Sequence, residues 1–169
     1  MMVSCNPDDD DSNNNNGGNN GHGDPDGYIA GHGYVDLGLP SGVKWATCNV
    51  GASSPEDYGD YFAWGETSPK AEYTWENSVT FGEQMSDISG NAQYDAATAN
   101  WGGSWRMPTK EQMEELVEHC EWEWTQVNGV NGAKVIGPNG SCIFLPAAGF
   151  CNGSSLIDDG GYGYYWSST

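Results

Sequence analysis

The chain has 169 residues, enough for one domain with a core of its own. Only 5 Lys and Arg stand against 24 Asp and Glu, a net charge of -19. Such a field repels phosphate backbones and anionic lipid surfaces, which argues against nucleic-acid binding. No run of about 20 apolar residues occurs, so no segment reads as a membrane-spanning helix.

Gly at 25, Trp at 8 and Tyr at 9 point to many tight turns around large aromatic anchors. Leu and Ile are scarce, so helices cannot dominate. The chain divides by composition into residues 1–5, an acidic Asn/Gly/Asp tether over 6–32, and a globular part over 33–169. From Asn6 to Gly27 no apolar residue is able to join a core, so ordering this stretch would cost entropy with nothing to offset it. As a flexible coil it would reach about 30 Å. The run Asp8 to Asp11 lacks the alternating spacing of a calcium loop and reads as solvated charge.

Ahead of the tether, Ser4-Cys5 followed by an acidic polar run resembles a bacterial lipoprotein processing site. That resemblance implies a lipid on Cys5, a cell-surface or outer-membrane location, and a membrane link through the lipid alone. A secretory signal needs a basic start and an apolar stretch of about 7–15 residues. Too little chain precedes Cys5 for that, so this reading places the true start upstream. Its alternative is an ordinary free thiol at Cys5.

In the globular part, Val35, Leu37 and Leu39 alternate with Asp36 and Gly38, which predicts a half-buried strand. Pro40-Ser41-Gly42 turns the chain, and Val43 and Trp45 open the returning strand, with Cys48 just after it. Residues 51–65 read as a loop pinned by Tyr58, Tyr61, Phe62 and Trp64. Residues 66–93 are polar and irregular, with Trp75 and Phe81 as the expected anchors. Asp95 to Asn100 suits a short helix. Thr109 with Gln112 makes a capping box, and Pro108 fixes the entry to a second helix. Met113, Leu116, Val117 and Cys120 then fall at i, i+3, i+4 and i+7, one apolar face. Trp122 and Trp124 alternate with Glu123 and Thr125 as a strand. Lys134 to Ile136 and Cys142 to Leu145 flank Gly137-Pro138-Asn139-Gly140 as a hairpin. Tyr162, Tyr164 and Trp166 are expected on one face of a last strand, which would end at Thr169 with an unpaired edge.

Three motifs in order carry a resemblance over Gly33 to Thr169. They are GYVDLGLPSGVKWATCNVGASSPEDYGDYFAWGET (Gly33 to Thr67), WGGSWRMPTKEQMEEL (Trp101 to Leu116) and the terminal YYWSST. Together they resemble the bacterial "major paralogous domain" family first named from Fibrobacter succinogenes. The resemblance implies a C-type-lectin-like α+β fold on an exported protein. It also implies further strands after the last motif, so the globular part is expected to be incomplete.

Chemistry is sparse. Gly102-Gly103-Ser104-Trp105-Arg106 lacks the closing Gly of a nucleophile elbow. His22 and His32 sit in or near the tether. His119 adjoins Cys120, but neighbours on a helix point about 100° apart, so the two form no nucleophile–base pair; His119 reads as a C-terminal helix histidine. No C-x-x-C occurs, which disfavours structural zinc. Asp57, Asp60 and Glu66 in one loop, and Asp158 and Asp159 in another, are the candidate oxygens for a structural calcium. Gly137-Pro138-Asn139 lacks the first residue of the calcium–sugar motif of C-type lectins, and no W-N-D follows. Arg106 is expected to pair with carboxylates and pack on a ring.

Cys48, Cys120, Cys142 and Cys151 read first as small buried hydrophobes, then as one disulfide of an exported protein, and only then as a catalytic pair. Tyr162, Tyr164 and Tyr165, around the Gly-rich loop Asp158 to Gly161, are the candidate ligand surface. The expected function is a non-enzymatic, monomeric surface module that binds an extracellular protein or glycan without a cofactor. Two alternatives stand beside it. One is an enzyme of the formylglycine-generating, sulfatase-modifying type, which resembles this broad fold. The other is a structural paralogue with no dedicated ligand.

Overall fold

The computed structural model describes residues 4–5 and 24–169. The rest of the expected tether lies outside the described residues. Short antiparallel strands in three small sheets, two helices and long loops make up the described chain, an α+β arrangement. The first sheet has the order β1-β4-β3-β2, built from β1 (Ser4–Cys5), β2 (Gly27–Ile29), β3 (His32–Asp36) and β4 (Lys44–Ala46).

This sheet corrects the expected tether boundary. Gly27, Tyr28 and Ile29 already pair with Tyr34, Gly33 and His32, so the ordered part starts before Gly33. The cause lies in the side chains, because Ile29 is buried in the second core cluster and His32 stacks on Trp101 at 3.9 Å. The predicted hairpin forms, with Val35 opposite Trp45. Its first strand ends sooner than the alternation suggests. Asp36 turns its carboxylate onto the Gly38 N–H (2.8 Å), so Leu37 and Leu39 enter the core from irregular backbone. At the predicted turn the Gly42 N–H donates to the Leu39 carbonyl at 2.9 Å.

The loop after β4 is pinned as its aromatics suggest. Phe62 is buried, the Tyr61 hydroxyl donates to the Ala148 carbonyl (2.6 Å), and Trp64 Nε1 donates to the Ser167 carbonyl (2.8 Å). The expected anchors of residues 66–93 are a correction. Trp75 and Phe81 pack on each other at 5.0 Å yet stay 72% and 60% exposed. Ile88, the Thr80 hydroxyl on the Trp64 carbonyl (2.6 Å) and Tyr73 tie that segment down instead. Aromatic type alone cannot separate the two roles, because the neighbours that decide them are distant in sequence.

Helix α1 (Ala96–Trp101) starts at the cap Asp95. Helix α2 (Lys110–His119) has the full capping box, Thr109 accepting from Gln112 N and Gln112 reaching back to the Thr109 N–H. On its apolar face Leu116 is fully buried, and Met113 and Cys120 pack against the same cluster. Val117 departs from expectation, being 62% exposed. An offset of one position turns a side chain by about 100°, and Leu116 takes the inward direction.

The second sheet is β5 (Glu121–Val127), β6 (Val130–Ile136) and β7 (Cys142–Pro146). Asn128-Gly129, a two-residue turn with φ of 50° and 85°, joins β5 to β6. Both positions require positive φ, which Asn and Gly supply at least cost. The hairpin around Gly137-Pro138-Asn139-Gly140 forms with Ile136 opposite Cys142. Strand β7 is buried along its whole length, and Ile143 and Leu145 meet Val35, Trp45 and Leu116 in the main core. Residues 164–169 are irregular, so the predicted last strand does not form; Gly163 makes one parallel bridge to Gly149.

Three phenols lock loops to backbone carbonyls: Tyr61 on Ala148, Tyr73 on Tyr61, and Tyr165 on Pro146. Burial pushes all three up, Tyr61 to about 12 from the ordinary 10. An unfolded tyrosine releases its proton near pH 10 while folded Tyr61 keeps it to about 12. The stabilisation is therefore complete below pH 10 and drains away through the next two units. Alkaline unfolding, followed by circular dichroism against phenolate absorbance, is expected to begin above pH 10 and to be less steep in Tyr61→Phe. Phenolate absorbance appearing near pH 10 for every tyrosine, ahead of unfolding, would count against these locks.

Candidate functional site

The third sheet is a hairpin of β8 (Phe150–Asn152) and β9 (Ser155–Ile157), turning at Gly153-Ser154. A glycine followed by serine between two apolar runs is a two-residue hairpin signal. This short unit carries the candidate ligand face. Phe150 stands opposite Ile157, and its ring meets Tyr164 edge to face at 4.9 Å. Tyr162 lies 6.4 Å from Tyr164. Tyr162 and Tyr164 are 64% and 54% exposed, so the cluster presents aromatic surface to solvent.

Backbone bonds set the spacing of this face. Gly149 N–H donates to the Tyr162 carbonyl (2.8 Å), and Gly160 N–H donates to the Ala147 carbonyl (2.7 Å). Gly149 has φ of 62°, and a Cβ there would stand 2.2 Å from the Ile157 carbonyl oxygen, so only glycine fits between the two segments. The Tyr164 hydroxyl donates to Asp158 Oδ2 at 3.0 Å, and that bond to the carboxylate raises the phenol. The rings of this face are thus held from both the hairpin and the Asp158 loop.

Tyr165 does not join the other two tyrosines. It packs against the main core and its hydroxyl donates to the Pro146 carbonyl at 2.7 Å. Tyr164 faces solvent while its neighbour Tyr165 is drawn inward by that carbonyl and the core cluster behind it. Tyr165, Met113 and Val117 line a shallow groove of about 350 Å³ beside α2. Residues that sequence reasoning did not assign to the face are Phe150 and Ile157. The Gly153-Ser154 turn was the signal that could have placed them, because it sets Phe150 across from Ile157.

Asp57, Glu66 and Asp158, three of the expected calcium ligands, are engaged by local donors. Asp57 accepts from the Ser53 and Ser54 N–H groups, bonds that hold its carboxyl below the usual range. Glu66 accepts from Lys70 Nζ (2.8 Å) and the Val79 N–H (3.1 Å). Among the described residues no group of three or more His, Cys, Asp or Glu side chains is placed to hold a metal ion.

Cys48, Cys120, Cys142 and Cys151 are free thiols. Burial pushes the Cys48, Cys120 and Cys151 thiols up. The thiolate is the nucleophile, so a raised value works against reactivity at neutral pH. Cys151 lines a cleft of about 210 Å³ with Asp60, Lys70, Tyr73 and Ser154. His32, stacked on Trp101, is lowered by burial, and His119 ends α2. Arg106 donates from Nη1 to Gln112 Oε1 at 2.9 Å, and so braces the capping box. Its charge also helps hold the Asp87 carboxyl low, behind the Ser168 and Ser89 bonds that outweigh the burial opposing them. No protein-family model, curated protein or solved structure matches the chain.

Proposed function

We propose that the chain is a C-type-lectin-like module that binds an extracellular protein or glycan at the bacterial surface without doing chemistry. The observation that carries this reading is the solvent-facing cluster of Tyr162, Tyr164 and Phe150, braced by Asp158 and the Gly149 contacts. Rigid aromatic rings offer large contact area at little entropic cost. Small antiparallel sheets with long loops pinned by Trp and Tyr suit the proposed fold, as do the three sequence motifs. The module acts as a monomer and needs no cofactor in this reading.

Tyr164→Ala is expected to weaken binding by at least about 2 kcal/mol, as loss of an exposed aromatic anchor does. Arrays of glycans and extracellular proteins provide the hit, measured with and without chelator. A hit that Tyr164→Ala and Tyr162→Ala both retain, in folded protein, removes this face from the reading. Loss with chelator alone would bring back a structural calcium.

A lipid on Cys5 is the proposed anchor. Cleavage before Cys5 takes Ser4 out of β1, so the lipidated chain and the seated strand are alternative states. Fatty-acid labelling that persists in Cys5→Ser rejects the anchor. The enzyme alternative keeps one supporting observation, the Cys151 thiol in its polar cleft. Turnover of a cysteine-containing peptide, lost in Cys151→Ser, would move the chain to that class.

A further inference from the structure

We propose that the slot between β4 and the chain at Arg106 is a binding site for an extended peptide, and that Ser4–Cys5 is its exchangeable occupant. Ser4 stands opposite Trp45 and Cys5 opposite Lys44. On the other side the Ser4 N–H donates to the Arg106 carbonyl and the Arg106 N–H to the Ser4 carbonyl, both at 3.0 Å. A two-residue segment is therefore held by main-chain bonds from both flanks, and such bonds accept any sequence that can run extended. Ser4 is fully buried, as are Trp45 and Trp105 beside it.

The occupant satisfies the backbone of this slot and not its side chains. The buried side-chain polar atoms without a partner among the described residues are Ser4 Oγ, Trp45 Nε1 and Ser104 Oγ. The first belongs to the occupant and the second to the residue opposite it in register. The third lies two positions before Arg106 on the other wall. A buried hydroxyl without a partner is a penalty that a hydroxyl-free residue of similar size avoids. The described strand is only two residues long, so few main-chain bonds have to be exchanged to replace it.

The ligand class follows from these features. It is an extended peptide with a small residue lacking a hydroxyl at the Ser4 position. Its flanks are neutral or basic, because the chain carries a net charge of -19. The slot shares none of its named residues with the Tyr162–Tyr164 face, so its test does not rest on ligand binding there; it concerns the chain that keeps Ser4, the alternative to the lipidated form.

The probe is a synthetic acetylated peptide spanning residues 1–7 with Ser4→Ala and Cys5→Ser, added in excess to the unaltered full chain. Amide hydrogen exchange is followed at Ser4 and Arg106. The expected result is that the chain's own Ser4 amide loses protection while the Arg106 amide keeps it, because the peptide replaces the strand. Full-length Ser4→Pro, which cannot donate to the Arg106 carbonyl, is expected to bind the labelled peptide at least about tenfold tighter than the unaltered chain. A scrambled peptide should do neither. Retained Ser4 protection at saturating peptide overturns the proposal, as does joint loss at Ser4 and Arg106. If Ser4→Pro does not fold, the exchange measurement on the unaltered chain decides alone.

Discussion

Asp95→Ala is expected to lower the stability of the folded chain by about 3 kcal/mol or more, through hydrogen bonds to a buried charge that lose their acceptor. Asp95 has no exposed surface. Its Oδ1 accepts from the N–H groups of Ala97 (2.9 Å) and Thr98 (3.1 Å), which caps α1. Its Oδ2 accepts from Gly90 (2.8 Å) and Met107 (2.8 Å), so one carboxylate joins the loop before α1 to the chain beside Arg106. Asp95→Asn keeps the shape but turns one acceptor into a donor, which then faces N–H groups. The amide variant should therefore recover only part of the loss. Urea unfolding of the three chains measures this, and a loss below about 1 kcal/mol in Asp95→Ala would mean that water or rearranged backbone replaces the carboxylate.

The second large effect is at α2. Leu116→Ala should cost roughly 2–5 kcal/mol, the range for deleting a buried leucine into a core that relaxes only in part. Leu116 is fully buried among Val35, Trp45, Val135 and Ile143. Val117→Ala, next along the helix and mostly exposed, should stay within about 0.5 kcal/mol. Comparable denaturation midpoints for the two variants would place the buried face of α2 elsewhere.

That pair shows how far an apolar pattern carries. The capping box of Thr109 and Gln112 and the apolar spacing placed α2 within a residue of its observed start, because caps and periodicity are local. Val117 satisfied the same spacing and stayed in solvent. A stripe that includes both i+3 and i+4 is wider than the contact a short helix makes, and only the packed sheet selects its centre.

The candidate face was legible in part for a similar reason. Tyr162 and Tyr164 beside the Asp158 to Gly161 loop could be read as a recognition surface from their type and setting. That Tyr165 turns into the core depends on the Pro146 carbonyl and the buried cluster behind it. Phe150 joins the face only because Gly153-Ser154 folds its strand back and brings Tyr164 to its ring.

By itself the sequence determined what one or two turns of backbone decide. These were the turn at Pro40-Ser41-Gly42, the Thr109 cap, a short helix near 95–100, the 137–140 hairpin and a charge hostile to polyanions. Tertiary structure alone decided which large aromatics are buried, leaving Trp75 and Phe81 in solvent while Trp45 and Trp105 form core. It alone also brought Ser4 against Arg106. Burial and strand pairing are set by residues far apart in the chain, and no local spacing encodes that distance.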